Sequence, residues 1–175
     1  GTVKPIRVSD SPRVPRLRTG TVLSPAVQPS DVTAPPLAVR PAADENLAFV
    51  ETLLAKCDLP HGDVRSSPAD FFVGLADGQR VAVGGVEPAG DHGLIRSVAV
   101  ASPVRGRGYG TAMCEELESA ARREGLDALY LLTTTAAEFF AGRGYEPVPR
   151  RAAPPAVRRT REFAEICPDS ATCMR

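Results

Sequence analysis

The sequence predicts a mixed α/β domain, with a central mixed sheet of about seven strands flanked by helices. Three observations predict it. From Pro36 onward, short apolar runs alternate with stretches of helical periodicity. The run Leu129 to Thr133 lacks a polar alternation until its end, as a strand covered on both faces requires. Finally, the glycine-rich segment Arg105-Gly106-Arg107-Gly108-Tyr109-Gly110 stands where a strand gives way to a helix.

The elements follow in order. Leu37 to Arg40 reads as a first strand. Asp44 to Cys57 reads as a helix, with acids in its first turn and Leu47, Val50, Leu54 and Cys57 on one face. Phe71 to Ala76 and Val81 to Val86 are strands joined by Asp77-Gly78-Gln79-Arg80, a hairpin signal. Leu94 to Val100 is a further strand. The helix over Thr111 to Glu124 carries Met113, Leu117 and Ala121 as its apolar stripe, ends on Arg122 and Arg123, and is closed by Gly125. After the apolar strand come a short helix over Ala136 to Arg143, a strand over Tyr145 to Val148, a helix over Pro155 to Cys167 and a last strand over Ala171 to Met174.

Residues 1–34 stand apart, because Pro5, Pro12, Pro15, Pro25 and Pro29 interrupt any helix and no apolar period is present. A flexible tail is expected there, followed by one catalytic or binding domain over residues 35–175. The opening Gly1 in place of Met is what a processed end would leave. The formal net charge is zero, so no overall field draws in nucleic acid or an anionic membrane. No apolar stretch reaches the roughly 18 residues a bilayer span needs, and a cytoplasmic location is expected. Cys57, Cys114, Cys167 and Cys173 form no C-x-x-C pair and have only His61 and His92 beside them, so no metal site is expected.

The glycine-rich turn carries the chemistry. Between a strand and a helix, the first backbone N–H groups have no intrahelical partner, and the helix dipole adds positive potential, which together make an anion site. Gly106, Gly108 and Gly110 allow close approach, while Arg105 and Arg107 add charge. The spacing is neither the dinucleotide G-x-G-x-x-G nor a P-loop with its Gly-Lys-Ser/Thr.

Together with the preceding Leu94-Ile95-Arg96-Ser97-Val98-Ala99-Val100, this turn resembles the signature region of the GNAT N-acetyltransferases, Arg/Gln-x-x-Gly-x-Gly/Ala. The resemblance spans residues 36 to 175 and implies a sheet whose fourth and fifth strands are parallel and splayed. It implies acetyl-CoA as cofactor, with Val98, Ala99 and Val100 along its pantetheine arm and Arg105 to Thr111 around its diphosphate, Tyr109 included. The backbone N–H of Val98 is the implied donor to the thioester oxygen. Phe139-Phe140-Ala141-Gly142-Arg143-Gly144-Tyr145 resembles the family's segment after the fifth strand, and places Phe140 at the cofactor. The family commonly has a tyrosine acid at that position, and phenylalanine cannot donate a proton. Residues 131 to 174 resemble the subgroup of arsenic-resistance operons, which implies an acceptor such as arsinothricin or phosphinothricin.

Among the residues themselves, Glu87 and His92 are the candidate bases, with Glu138 or a water chain as alternatives. Arg96, inside an apolar strand, needs either an internal carboxylate or a substrate anion to grip. Thr133 and Thr134 either bind substrate or cap the next helix. The expected activity is acetyl transfer to the primary amine of a small molecule. The alternatives are a non-catalytic acyl-CoA-binding module and a protein or peptide N-acetyltransferase. The expected partner is a small-molecule amine, with a homodimer left open and nucleic acid and membrane not expected.

Overall fold

A computed structural model describes residues 34–175, which form one compact unit beginning at Ala34. The proline-rich segment expected to be a tail lies outside the described residues. Six strands form a single mixed sheet in the order β1-β2-β3-β4-β5-β6. They are β1 Ala38–Pro41, β2 Asp70–Ala76, β3 Gln79–Ala89, β4 His92–Val100, β5 Ala128–Thr133 and β6 Thr172–Met174. All neighbours are antiparallel except β4 and β5, which run parallel from His92↔Ala128 to Ile95↔Leu131. The turn between β2 and β3 places Asp77 and Gly78 at positive φ (50° and 73°), as a two-residue hairpin with the twist of its strands requires.

Helix α1 (Leu47–Lys56) follows a 3₁₀ turn over Asp44–Asn46, α2 is Tyr109–Arg123, α3 is Ala137–Gly142 and α4 is Pro155–Arg158. Strand alternation sorts the core onto two faces. Phe72 and Ala82 point towards Met113 and Leu117 of α2 and Phe140 of α3. Phe71, Val73 and Val83 point the other way, against Val50, Leu53 and Leu54 of α1. On that second face Leu94 and Tyr130 meet Val157 and Phe163 of the carboxyl-terminal segment. The contact of α2 is close: a Cβ on Gly84 would stand 2.9 Å from both Leu117 Cδ1 and Met113 Cγ. None of the described helices is long and apolar enough to cross a membrane.

Two expected elements change form. Tyr145 to Val148 is not a strand. Glu146 exchanges backbone bonds with Arg175 and Val148 N–H donates to Cys173 O, but Pro147 and Pro149 have no N–H to extend that ladder, leaving a single bridge at Pro147↔Met174. The long helix over Pro155 to Cys167 is also absent. It breaks after Arg158 because the Thr160 hydroxyl donates to Val157 O at 2.7 Å and accepts from Phe163 N–H at 3.3 Å, competing with the helical ladder. The chain resumes as a π-helical turn over Glu162–Ile166.

Candidate active site

The site is built where β4 and β5 part. Their pairing ends at Ile95↔Leu131, after which β4 runs on to Val100 while Leu132 and Thr133 keep only their β6 partners on the opposite edge. On its other side β4 carries a bulge, since its register with β3 passes from Gly85↔Arg96 to Val83↔Ala99 and leaves Ser97 and Val98 opposite Gly84 alone. Ser97 takes the left-handed backbone that the extra residue demands (φ 58°). A non-glycine residue held there costs about 1–3 kcal/mol, and such strain is found mostly where it serves a site.

Beyond Val100 a 3₁₀ turn (Ser102–Val104) leads to the glycine-rich segment and the start of α2. Gly106 (φ 77°) and Gly108 (φ 84°) are both left-handed, and a Cβ on either would meet nothing within 4 Å. Their requirement for glycine is therefore conformational, and the space over them is open to a ligand. Gly108 caps α2 without a side-chain bond, so the first N–H groups of a 15-residue helix face this space.

Parted strands, bulge and turn open into one cavity of about 930 Å³. Its walls include Ser97 to Val100, Gly106, Gly108 to Thr111, Thr133 to Ala136, Phe139 and Phe140, with Cys57, Arg96, Glu162 and Cys167 at other points.

Arg96 is the electrostatic centre of the ion cluster at the wall. Its side chain is 1% exposed and is held end-on by the two carboxylate oxygens of Asp63, through Nη1 to Oδ2 at 2.7 Å and Nη2 to Oδ1 at 2.9 Å. Nη1 also donates to Ser67 Oγ (3.3 Å) and Nε to Ser97 Oγ (3.1 Å). Two further carboxylates stand near, Glu162 at 3.1 Å from Nη2 and Glu87 at 3.7 Å from Nη1. Burial opposes the guanidinium's charge, yet these acids more than compensate and raise its pKa further. For Asp63 burial pushes upward, but the Arg96 bonds win and hold the carboxyl below its usual value. Glu87 goes the other way: burial outweighs the pull of Arg96, and the charges of Glu162 and Asp63 add to the rise.

The profile of the acetyltransferase (GNAT) family matches residues 40–145. The chain belongs to that family. Mouse N-alpha-acetyltransferase 80 is 43% identical over 53 residues, which are 30% of this chain and 17% of that protein. An amino-acid acetyltransferase of Pseudomonas fluorescens (strain Pf0-1) is 40% identical over 57 residues, 33% of this chain and 13% of its own. The matches thus span less than a fifth of the length of these relatives. N-acetylglutamate synthase from Neisseria gonorrhoeae, solved with coenzyme A and L-arginine, is similar in fold with a TM-score of 0.66 at 21% identity, over 79% of this chain and 32% of that one. Rv2747 from Mycobacterium tuberculosis, solved in complex with CoA, has a TM-score of 0.67 at 22% identity, over 78% and 96% of the two chains.

In this GNAT chain the structure brings together Val98, Ala99, Val100, Arg105, Gly106, Gly108, Gly110, Thr111 and Phe140 on the cavity wall. Arg107 is exposed and is not part of that wall. Arg105 folds back, its Nε donating to Val100 O (3.0 Å) and its Nη2 to Cys57 Sγ (3.2 Å). Tyr109 reaches the cavity, but its hydroxyl donates to Pro35 O at 2.9 Å. The other two tyrosines lie elsewhere: Tyr145 donates to Glu118 (3.2 Å) and Tyr130 stacks edge-on against His92. No tyrosine hydroxyl therefore faces the cavity.

Several expectations need correction. His92 sits at the far end of β4, paired with Ala89 and Ala128, and Glu87 lies behind Arg96; neither lines the cavity. Glu138 is exposed on α3 and does not line it either. Arg96 reaches the wall, but as the hub of an ion cluster, because Asp63 already takes both terminal nitrogens that a bidentate grip on substrate would use. Thr133 Oγ1 accepts from Ala136 N–H at 2.9 Å, so it caps the next turn, while Thr134 lines the cavity with an exposed side chain. Sequence reasoning did not single out Asp63, Glu162, Cys57 or Cys167 for this site. The signal for the acids was Arg96 itself, since a guanidinium within an apolar strand requires them.

Proposed function

We propose that this chain transfers an acetyl group from acetyl-CoA to the primary amine of a small molecule. One observation carries the reading: the gap between β4 and β5, the bulge at Ser97 and Val98 and the amino end of α2 all open into a single cavity. Acetyl-CoA supplies an activated acyl thioester. The open space over Gly106 and Gly108 fits its diphosphate, and the stretch of β4 beyond Ile95, unpaired towards β5, fits an extended arm. The Val98 N–H is the proposed donor to the thioester oxygen, where negative charge develops as the amine attacks. The binding of coenzyme A by the N-acetylglutamate synthase and Rv2747 structures, which share this fold, supports the cofactor.

For the acceptor we propose an amino acid or an amino-acid analogue of the arsinothricin and phosphinothricin type. The resemblance of residues 131 to 174 to the arsenic-resistance subgroup supports it, as do the partial matches to amino-acid acetyltransferases. The grip of Arg96 on a second acidic group is no longer part of this reading. The test is thiol release from acetyl-CoA against phosphinothricin, L-glutamate, an aminoglycoside and a polyamine. Turnover with the first two supports the reading, and turnover restricted to the cationic acceptors rejects the acceptor class. Tight acetyl-CoA binding without turnover on any amine favours an acyl-CoA-binding module, the second reading, which Phe140 and the lack of a tyrosine hydroxyl at the cavity support.

A further inference from the structure

We infer that Glu162 is the carboxylate that receives the acceptor's ammonium group and removes its proton, with Arg96 and Asp63 as the positioning pair behind it. This inference rests on the acetyl-transfer reading above.

Three observations converge on Glu162. It lines the cavity, whereas Glu87, the other buried glutamate of the cluster, does not. Glu162 is only 6% exposed, yet its Oε2 has no hydrogen-bond partner. Arg96 Nη2 stands 3.1 Å from it as an ion pair without hydrogen-bond geometry, while the same nitrogen donates to Asp63 Oδ1 at 2.9 Å. A buried carboxylate oxygen without a donor is costly, and a cation bearing N–H groups is the ligand that would satisfy it.

The surroundings fix this carboxylate in place. Oε1 accepts from Cys167 Sγ at 3.2 Å, and burial with the charge of Glu162 pushes that thiol up to about 12, so it stays a protonated donor. Glu162 is the first residue of the π-helical turn, a form that recurs at functional sites because its widened ring re-aims side chains. One guanidinium faces three acids, Asp63, Glu87 and Glu162, so an incoming ammonium relieves an excess of negative charge.

The proton balance is simple. Glu162 carboxylate takes one proton from the ammonium, leaving a neutral amine. The nitrogen lone pair forms the C–N bond to the thioester carbon, and the C–S bond breaks to release the thiolate of coenzyme A. The second nitrogen proton passes to that thiolate, and Glu162 returns its own proton to solvent.

The experiment measures kcat/KM against pH with phosphinothricin and L-glutamate, alongside acetyl-CoA affinity by calorimetry and thermal unfolding. Glu162→Gln keeps the shape and removes the base, and should lower kcat/KM by about a hundredfold or more with acetyl-CoA affinity unchanged. With the base gone only the neutral amine reacts, so kcat/KM of this variant should climb with pH towards the amine's own titration. Asp63→Asn frees Arg96 to bond Glu162 and should lower kcat with acetyl-CoA affinity unchanged, a split a merely structural residue would not produce. The charged and titratable groups gathered around this cluster are Arg96, Asp63, Glu87, Cys167, Arg150 and Arg161. Should Glu162→Gln not fold, Glu162→Asp is the second variant, expected to keep the pH profile of the wild type at reduced kcat. Glu162→Gln activity within threefold of wild type, or a pH profile identical to that of the wild type, overturns this inference alone. Failure of the wild type on every amine overturns the acetyl-transfer reading with it.

Discussion

At the scale of single residues, the buried charges make opposite demands on pH. Glu87 has its pKa raised by burial, so the stability it contributes is complete below its ordinary value of 4.5 and is lost as pH rises through the higher folded value. Asp63 is lowered, so its contribution holds above 3.8 and is lost as pH falls further. Glu87→Gln should therefore leave the Tm at pH 4 unchanged and raise it at pH 7 to 8. Each kcal/mol is worth about 2–4 °C in a chain of this size. A lower Tm at neutral pH would show that the Glu87 charge is needed by Arg96. Phe140 makes a second test. It is buried edge-on between Phe139 and Tyr145. Phe140→Ala should cost about 3–5 kcal/mol of stability, with turnover falling only as the folded fraction falls. Phe140→Tyr should keep the fold and place a hydroxyl at the cavity. Activity that appears only in Phe140→Tyr would identify the wild type as a binding module.

At the scale of elements, legibility followed the reach of the interactions. The glycine-rich turn was readable because its cause is local: left-handed backbone at Gly106 and Gly108, next to a helix start. Arg96 was readable as a residue needing a carboxylate. Its partners were not, because Asp63 comes from the loop after α1 and Glu162 from beyond α4, brought together only by both segments covering the same sheet face. The π-helical turn was hidden for a smaller reason, the diversion of the backbone by one hydroxyl at Thr160. The turn itself offers a clean separation of fold from ligand. Since nothing lies within 4 Å of a Cβ at Gly108, the methyl group of Gly108→Ala meets no neighbouring side chain and costs only its left-handed backbone, about 1–2 kcal/mol. Acetyl-CoA affinity, measured by calorimetry on the folded variant, should fall at least tenfold. Unchanged affinity would remove the diphosphate from this turn.

At the scale of the whole molecule, the fold class was legible from the alternation of elements, and the parting of β4 and β5 came only through the family resemblance. That parting has a mechanical consequence. Residues 92–95 and 128–131, four pairs in all, are the only ladder joining the four-stranded antiparallel plate β1–β4 to the small plate β5–β6 among the described residues. The sheet is thus two plates joined over four residue pairs, with Arg96 to Val100 and Leu132 to Thr133 as the jaws of the gap between them. An extended ligand lying between the jaws would act as a splint, tying both plates through its own amides. The splint should be visible in time: amide hydrogen exchange at residues 96–100 and 132–133 is expected to slow by at least tenfold when acetyl-CoA saturates the protein, while exchange across the β2–β3 hairpin stays within twofold. Equal slowing in both places would mean that the molecule was stiffened globally and that its jaws are no softer than the rest of the sheet.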